Sequence, residues 1–415
     1  MNSAVINDQR IRTLKEFYVL MDKTHNLRTH IVKDIFNKRQ IEPNRIESLK
    51  NALSSLVNIP MEKGKRVLFL DDSKKIPVDL AYEIAELKKD IFYLENGEKK
   101  FIKYLEDLHS GFRDQVTNSV KQLKGLNFNC FITDRDGTTN NYCGRFRSSV
   151  QSIYNSIFLV RFAAKRTVSP VIITSAPLKD FGVMDVSINP EKSVIYAASK
   201  GREFIDFNGK RRTYPIDKQR QNQLDNLNKK LLSLVKDPVF EKFSLIGSGF
   251  QRKFGQTTIA RQDINGSIPE DESYNFLNKI KNIVSDLDPQ NKNFRIEDTG
   301  LDIEIILTIG DSQSGFKDFD KGDAVKFLDE KLRLGMTKGP HLICGDTYSD
   351  IPMLEAAKEK TDNTWSIFVT KDHKLAGKVR DVCSNAIIVT EPDILITILN
   401  SLSKVQRGKN DFEKV

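Results

Sequence analysis

Two aspartates, Asp134 and Asp136, close the short apolar run Phe128-Asn-Cys-Phe-Ile-Thr133 and are followed at once by Gly137-Thr138-Thr139. The run is too short for a helix of its own and reads as a buried parallel strand. Open α/β sheets bind ligands outside the carboxyl ends of their strands, so Asp134 stands where chemistry is expected. Two acids there, with a glycine that lets the backbone turn, suit a nucleophile, a proton carrier and a divalent cation. Taken alone, Asp-x-Asp-Gly-Thr also fits a solvated strand-to-loop turn.

Three further pieces raise the chemical reading. Pro170-Val-Ile-Ile-Thr174-Ser175 is a second short strand that stops on a hydroxyl. Lys321, in Asp320-Lys-Gly-Asp323, precedes the helical pattern Val325, Leu328, Leu332. His341-Leu-Ile-Cys-Gly-Asp346 is a third strand ending in an acid, with Asp350 four residues on. Singly, Thr174 is an ordinary strand-end hydroxyl and Lys321 a solvated lysine at a helix start. In this order, the Asp, Thr, Lys and Asp pair resemble the four motifs of the haloacid dehalogenase-type (HAD) phosphatases.

The elements that must position these residues follow from length and periodicity. At 415 residues the chain exceeds one usual core, and two or three domains are expected. Residues 1–124 read as helical: Ile11, Leu14, Tyr18 and Met21 share one face, and Leu80, Ile84, Leu87, Ile91 and Leu94 follow heptad spacing. Gly97 interrupts this run, and Phe101, Leu105, Leu108, Phe112, Val116, Val120 and Leu123 return as in an antiparallel hairpin. Val67-Leu-Phe-Leu70 before Asp71-Asp72 mimics an acid-tipped strand and is read as a helix end or linker. From residue 125 short strands alternate with helices, the signature of a parallel sheet. Val194–Ala197, a hairpin about Asn208-Gly209, Trp365–Val369 and Ala386–Val389 extend that sheet. Residues 216–315 read as an insertion. It holds helices at Leu224–Leu234 and Tyr274–Ile283, strands at Phe243–Ile246 and Thr257–Ile259, and a closing stretch Phe294–Leu307. In the last of these Asp302 and Glu304 fall on one face and Ile303, Ile305 and Leu307 on the other. Such a sheet, apolar toward its helices and polar on its other face, suits a lid, with Gly247-Ser-Gly-Phe-Gln251-Arg252-Lys253 supplying donors; an ordinary solvent-facing sheet fits the alternation equally. The expected fold is therefore α/β: a Rossmann-like parallel-sheet core split into 125–215 and 316–415, an inserted α+β cap at 216–315, and an N-terminal helical bundle or hairpin at 1–124.

Composition excludes several classes. With 39% hydrophobic and 29% charged residues the chain is an ordinary globular one. The net charge of +9 is spread along it, without an aromatic-interleaved basic module, so nucleic-acid binding is not expected and an anionic substrate is. The cysteines Cys130, Cys143, Cys344 and Cys383 lack paired spacing, which favours core packing over disulfides or zinc. No signal core and no membrane-length apolar run stand out, and a reducing cytoplasm is expected.

With Ile173-Thr-Ser-Ala-Pro-Leu178, Gly247–Lys253, Leu301-Asp-Ile-Glu-Ile305, Lys321-Gly-Asp323 and Gly345–Leu354 added, the chain resembles the trehalose-6-phosphate phosphatases, in particular their long nematode-type form with a helical N-terminal domain. The resemblance covers 125 to about 400 well and 1–124 only in general character. It implies a HAD core with a C2-type cap and Mg²⁺-dependent hydrolysis of trehalose 6-phosphate through an aspartyl-phosphate. Asp134 would be the nucleophile and Asp136 the acid and base, with Thr174 and Lys321 on the phosphoryl oxygens and Asp323 orienting Lys321. The resemblance places Mg²⁺ on Asp134, the backbone carbonyl of Asp136, and Asp346, with Asp350 in support. Gln251, Arg252, Lys253, Asp302 and Glu304 would meet the sugar. Two positions depart from many relatives: Arg135 stands where an aromatic is common, and Thr139 where an aliphatic is. Another sugar-phosphate phosphatase or a phosphohexomutase would share this core, and a regulatory or scaffold protein working through its helices is the rival of a different class. The N-terminal helices are also the expected surface for a second copy or a protein partner.

Overall fold

The computed structural model describes residues 5–70, 74–311 and 315–405. Its centre is an eight-stranded sheet in the order Ala386–Val389, Thr364–Val369, His341–Gly345, Phe128–Thr133, Thr167–Ile173, Ile195–Ala198, Glu203–Ile205, Arg211–Thr213. The first six are parallel and the last two are an antiparallel edge hairpin. The hairpin turns at Asn208-Gly209 as expected, with Gly209 at φ +77°. Near-continuous burial of the central strands, as in Phe128-Asn-Cys-Phe-Ile-Thr133, reflects helices covering both faces. The order matters for function: the strands ending before Asp346, Asp134 and Thr174 are immediate neighbours, so their tips lie side by side.

The insertion forms a separate four-stranded antiparallel sheet in the order Phe294–Asp298, Asp302–Leu307, Gln256–Ala260, Phe250–Lys253, with the helices Lys218–Leu234 and Glu270–Leu287. One sequence expectation fails here. Phe243–Ile246 is not a strand; Glu241–Ser244 is a turn of 3-10 helix, and the Phe243 ring stacks on Phe276 at 3.7 Å between centroids. An apolar run of four residues cannot by itself tell a strand from a short buried helical turn. The edge strand is Phe250–Lys253 instead.

The N-terminal part is mainly helical, with Leu14–Phe36, Pro43–Val57, Ala81–Leu108 and Phe112–Leu123. Gly97, at φ +73° and ψ +171°, breaks the third of these. Phe92 stacks on Tyr104 at 4.5 Å and Tyr93 meets Phe101 at 5.4 Å between centroids. Twelve residues of straight helix would span about 18 Å, so the chain doubles back at Gly97 as the heptad interruption predicts. Two details differ. The returning run is cut again at Gly111 (φ +67°), and a three-stranded antiparallel sheet, Met61–Glu62, Lys65–Phe69 and Lys75–Val78, sits between the helices. Val67-Leu-Phe-Leu70 is thus largely strand rather than helix end, its turn set by Lys63 and Gly64 at positive φ. Asp71 and Asp72 lie outside the described residues. Among the described residues, no helix is long and apolar enough to cross a membrane.

Buried charges join these helices to the core. Arg28 donates to Asp90 at 2.6 Å with both side chains fully buried, and Asp90 Oδ1 accepts the Ile153 N–H that opens a core helix. Asp393, 1% exposed at the start of the last helix, accepts from Lys89 (2.7 Å), Asn141 (2.9 Å) and Tyr154, and pairs with His109 at 2.7 Å. Burial pushes the Asp393 carboxyl up, but Lys89, His109 and Tyr154 together outweigh it and hold it well below the usual range. Its stabilisation is therefore present above the unfolded carboxylate pKa and is lost as pH falls. Asp393→Ala leaves Lys89 with Glu86 alone (2.9 Å) and takes the shared acceptor from His109 and Tyr154, and should cost about 3 kcal/mol, read as a large fall in thermal midpoint at neutral pH. An unchanged midpoint would contradict this account.

Candidate active site

Each strand tip delivers one group. After Thr133 the chain makes a tight turn in which Gly137 N–H donates to Asn140 C=O (2.8 Å). Gly137 has φ +87°, and a Cβ there would lie 2.2 Å from Asp346 Oδ2, so both conformation and space require glycine. Thr138 donates its hydroxyl to Asp346 Oδ1 (2.8 Å), and the buried Thr139 hydroxyl donates to the Asp134 carbonyl (3.2 Å). Thr139 thus ties down the turn beneath the acid.

Lys321 enters from the first turn of the helix Lys321–Leu332, which Asp320 caps. Its ammonium, 7% exposed, donates to Asp134 Oδ1 (2.6 Å) and Asp350 Oδ1 (2.5 Å). Asp350 Oδ2 accepts the N–H groups of Asp346 and Thr347 at 3.0 Å each, so both its oxygens are engaged. Gly345 is obligatory beside it, since a Cβ would fall 2.4 Å from Asp350 Cβ. Asp323 completes the helix cap by accepting the Asp320 N–H (3.1 Å), so the carboxylate that orients Lys321 is Asp350 rather than the expected Asp323.

Asp134, Asp346 and Asp350 each place an oxygen within 4.8 Å of the others. One ammonium cannot neutralise three carboxylates in a buried site. Burial, then Asp350 and Asp136, push Asp134 up to about 7 although Lys321 opposes them. Burial, then Asp134 and Asp350, push Asp346 up to about 8. Asp350 goes the other way because Lys321 and two backbone N–H groups outweigh its burial. The site is short of positive charge at Asp134 and Asp346, and this all-oxygen donor set fits a hard divalent cation. The Asp136 side chain is not part of that trio.

Above the acids a cleft runs between core and insertion, lined by Asp136, Tyr142 and Thr174 on one side and Gln251, Lys253, Asp302 and Glu304 on the other. Register explains the second wall: Glu304 pairs with Thr258, and Thr258 with Gln251, giving one polar cross-strand row. Asp302 accepts from Ser248 (2.9 Å), and its Oδ1 is buried with no partner. Burial pushes Lys253 down and Asp302 up. Arg252 is not in this wall. Strand alternation turns it outward, where it pairs with Asp180 at 2.8 Å. Sequence reading missed Tyr142 and Thr258; cross-strand register, invisible in one sequence, places Thr258 there.

The family model "Trehalose-6-phosphate phosphatase, C-terminal" matches residues 131–395, and "Trehalose-6-phosphate phosphatase N-terminal helical bundle domain" matches residues 13–112. Alpha,alpha-trehalose-phosphate synthase (UDP-forming) 2 of Aphelenchoides avenae is 32% identical over 94% of this chain, which spans about a third (32%) of that protein's length. Trehalose-phosphatases of Caenorhabditis elegans and Brugia malayi are 29% and 26% identical, over 92% and 96% of this chain and 94% and 87% of theirs. Among solved structures, the C-terminal domain of C. albicans trehalose-6-phosphate phosphatase aligns at 17% identity and a TM-score of 0.44 over 71% of this chain and 97% of that one, a distant likeness. Matched over most of its length by the family model, this chain belongs to the trehalose-6-phosphate phosphatase family.

Proposed function

We propose that the protein is a Mg²⁺-dependent phosphatase that hydrolyses trehalose 6-phosphate to trehalose and phosphate. The observation that carries this is the convergence of Asp134, Thr174, Lys321 and Asp346 beneath a polar cap wall, in a chain of this family. On this reading residues 1–124 are the helical domain, 125–215 and 316–415 the phosphatase core, and 216–315 the cap. The four cysteines are buried and unbridged, which suits a cytoplasmic enzyme.

Asp134 attacks phosphorus in line and forms the acyl phosphate. Asp136, which faces the cleft, protonates the departing sugar oxygen and then takes a proton from the hydrolytic water. Thr174 and Lys321 hold the phosphoryl oxygens, and Asp350 aims Lys321 through its 2.5 Å contact. Asp134, Asp346 and the Asp136 carbonyl would hold Mg²⁺, with Asp350 behind them. When bound, the ion supplies charge that lets an anionic ester approach these acids. Gln251, Lys253, Asp302 and Glu304 meet the sugar; the unpartnered Asp302 Oδ1 is an acceptor placed for a hydroxyl. Arg252 serves instead as a cap-to-core contact.

Asp134→Asn should abolish phosphate release while substrate binding stays measurable by calorimetry; retained hydrolysis would remove the covalent route. Glu304→Ala should slow turnover of trehalose 6-phosphate far more than that of a small aryl phosphate, by roughly tenfold or more in kcat/KM. Equal losses on both would sink the cap reading. Because Asp134 and Asp346 are raised to about 7 and about 8, Mg²⁺ must displace protons below those values. Its affinity should therefore rise with pH through that window and level off above it. Calorimetry giving one affinity from about pH 6 to about pH 9 would contradict the assignment.

A further inference from the structure

Arg135, between the two acids of the motif, is 2% exposed. Its guanidinium is mounted from behind. Nη1 donates to the Ser149 hydroxyl (3.1 Å), and Nη2 donates to the carbonyls of Ser149 and Val186, the latter at 3.5 Å. The Phe146 ring lies 5.9 Å from its centre. In front, Nη1 donates to Asp136 Oδ1. Asp136 is the more open partner, at 23% side-chain exposure against 3%, and it is the member that reaches the cleft.

An aspartate at a turn can swing about two torsions, whereas a guanidinium fixed by a hydroxyl and two carbonyls is a rigid planar fork. General-acid catalysis needs the carboxyl within hydrogen-bond reach of one oxygen, and a displacement of about 1 Å commonly costs about a hundredfold in rate. We propose that Arg135 is the positioning residue for Asp136: it holds one carboxyl oxygen so that the group faces the departing alkoxide. The residue touches neither Thr174 nor Lys321 in the contacts described, so it acts through Asp136 alone, as the acid for alkoxide departure and again as the base when water hydrolyses the acyl phosphate. This rests on the phosphatase reading above. The competing role is structural, with Arg135 merely tying the Ser149 loop to Val186.

Leaving groups separate the two. The full chain with Mg²⁺ is assayed on trehalose 6-phosphate, whose alkoxide needs a proton, and on p-nitrophenyl phosphate, whose phenolate does not. A single turnover with enzyme in excess reads leaving-group departure apart from the acyl-phosphate hydrolysis common to both esters. There Arg135→Met should slow trehalose release by about tenfold to a hundredfold, with steady-state KM within about twofold, and change nitrophenol release by less than about threefold. Arg135→Lys, which keeps a cation, should restore part of the loss. Arg135→Met with Asp136→Asn should be no slower than Asp136→Asn alone, because both act through one carboxyl. Equal losses on the two esters, additive losses in the double variant, or an unchanged sugar-ester rate would overturn the proposal. Should the unaltered chain cleave other alkyl phosphates but not trehalose 6-phosphate, the substrate reading fails and Arg135 is scored on those esters. A chain that cleaves none overturns both.

Discussion

The shared ammonium of Lys321 is the constraint on which the rest of the structure turns. It reaches Asp134 and Asp350 at once, and it must, because both carboxylates are buried within a few ångströms of Asp346. Desolvating several like charges is costly unless each is paired or shared with a cation. Asp350 is fully compensated by Lys321 and two N–H groups, whereas Asp134 and Asp346 are not. The deficit falls on Asp134 and Asp346, both pushed up by burial and by their neighbouring carboxylates. Such a cluster is one that a hard divalent cation would relieve.

Holding the acids together needs more than the sheet. Gly137 and Gly345 are the two places where a Cβ would collide with Asp346 or Asp350, so the backbone itself makes room for the cluster. The turn after Asp134 is braced by Thr138 and Thr139 and, further out, by groups from the N-terminal helices: Asn140 donates to Tyr82 (2.8 Å) and Asn141 to Glu86 (3.0 Å). The Lys89–Asp393 pair continues that brace into the last helix of the core. The N-terminal helices therefore form part of the wall behind the motif loop.

Much of this was legible in the sequence. Buried parallel strands carry continuous apolar runs that stop on polar residues, so Phe128–Thr133, Thr167–Ile173 and His341–Gly345 announced themselves, and with them Asp134, Thr174 and Asp346. Alternation correctly put Asp302 and Glu304 on one face of their strand. The same alternation corrects the grouping of Gln251, Arg252 and Lys253 as sugar contacts, since the middle one points away to Asp180. Phe243–Ile246 and Val67–Leu70 failed for a common reason: four apolar residues fit a strand, a helical turn or a helix end, and tertiary packing decides. The Arg135–Asp136 contact had no sequence signal at all, because neighbours in a strand-end turn meet only if the backbone folds them together.

The central claim is geometric and electrostatic, and one crystal structure would test it most directly: the full chain with Mg²⁺ and beryllium fluoride, a mimic of the phosphoryl group. The account predicts the mimic bonded to Asp134, with Thr174 and Lys321 on its fluorines and a single cation between Asp134 and Asp346. A mimic bound away from Asp134, or a cation that ignores Asp346, would contradict it.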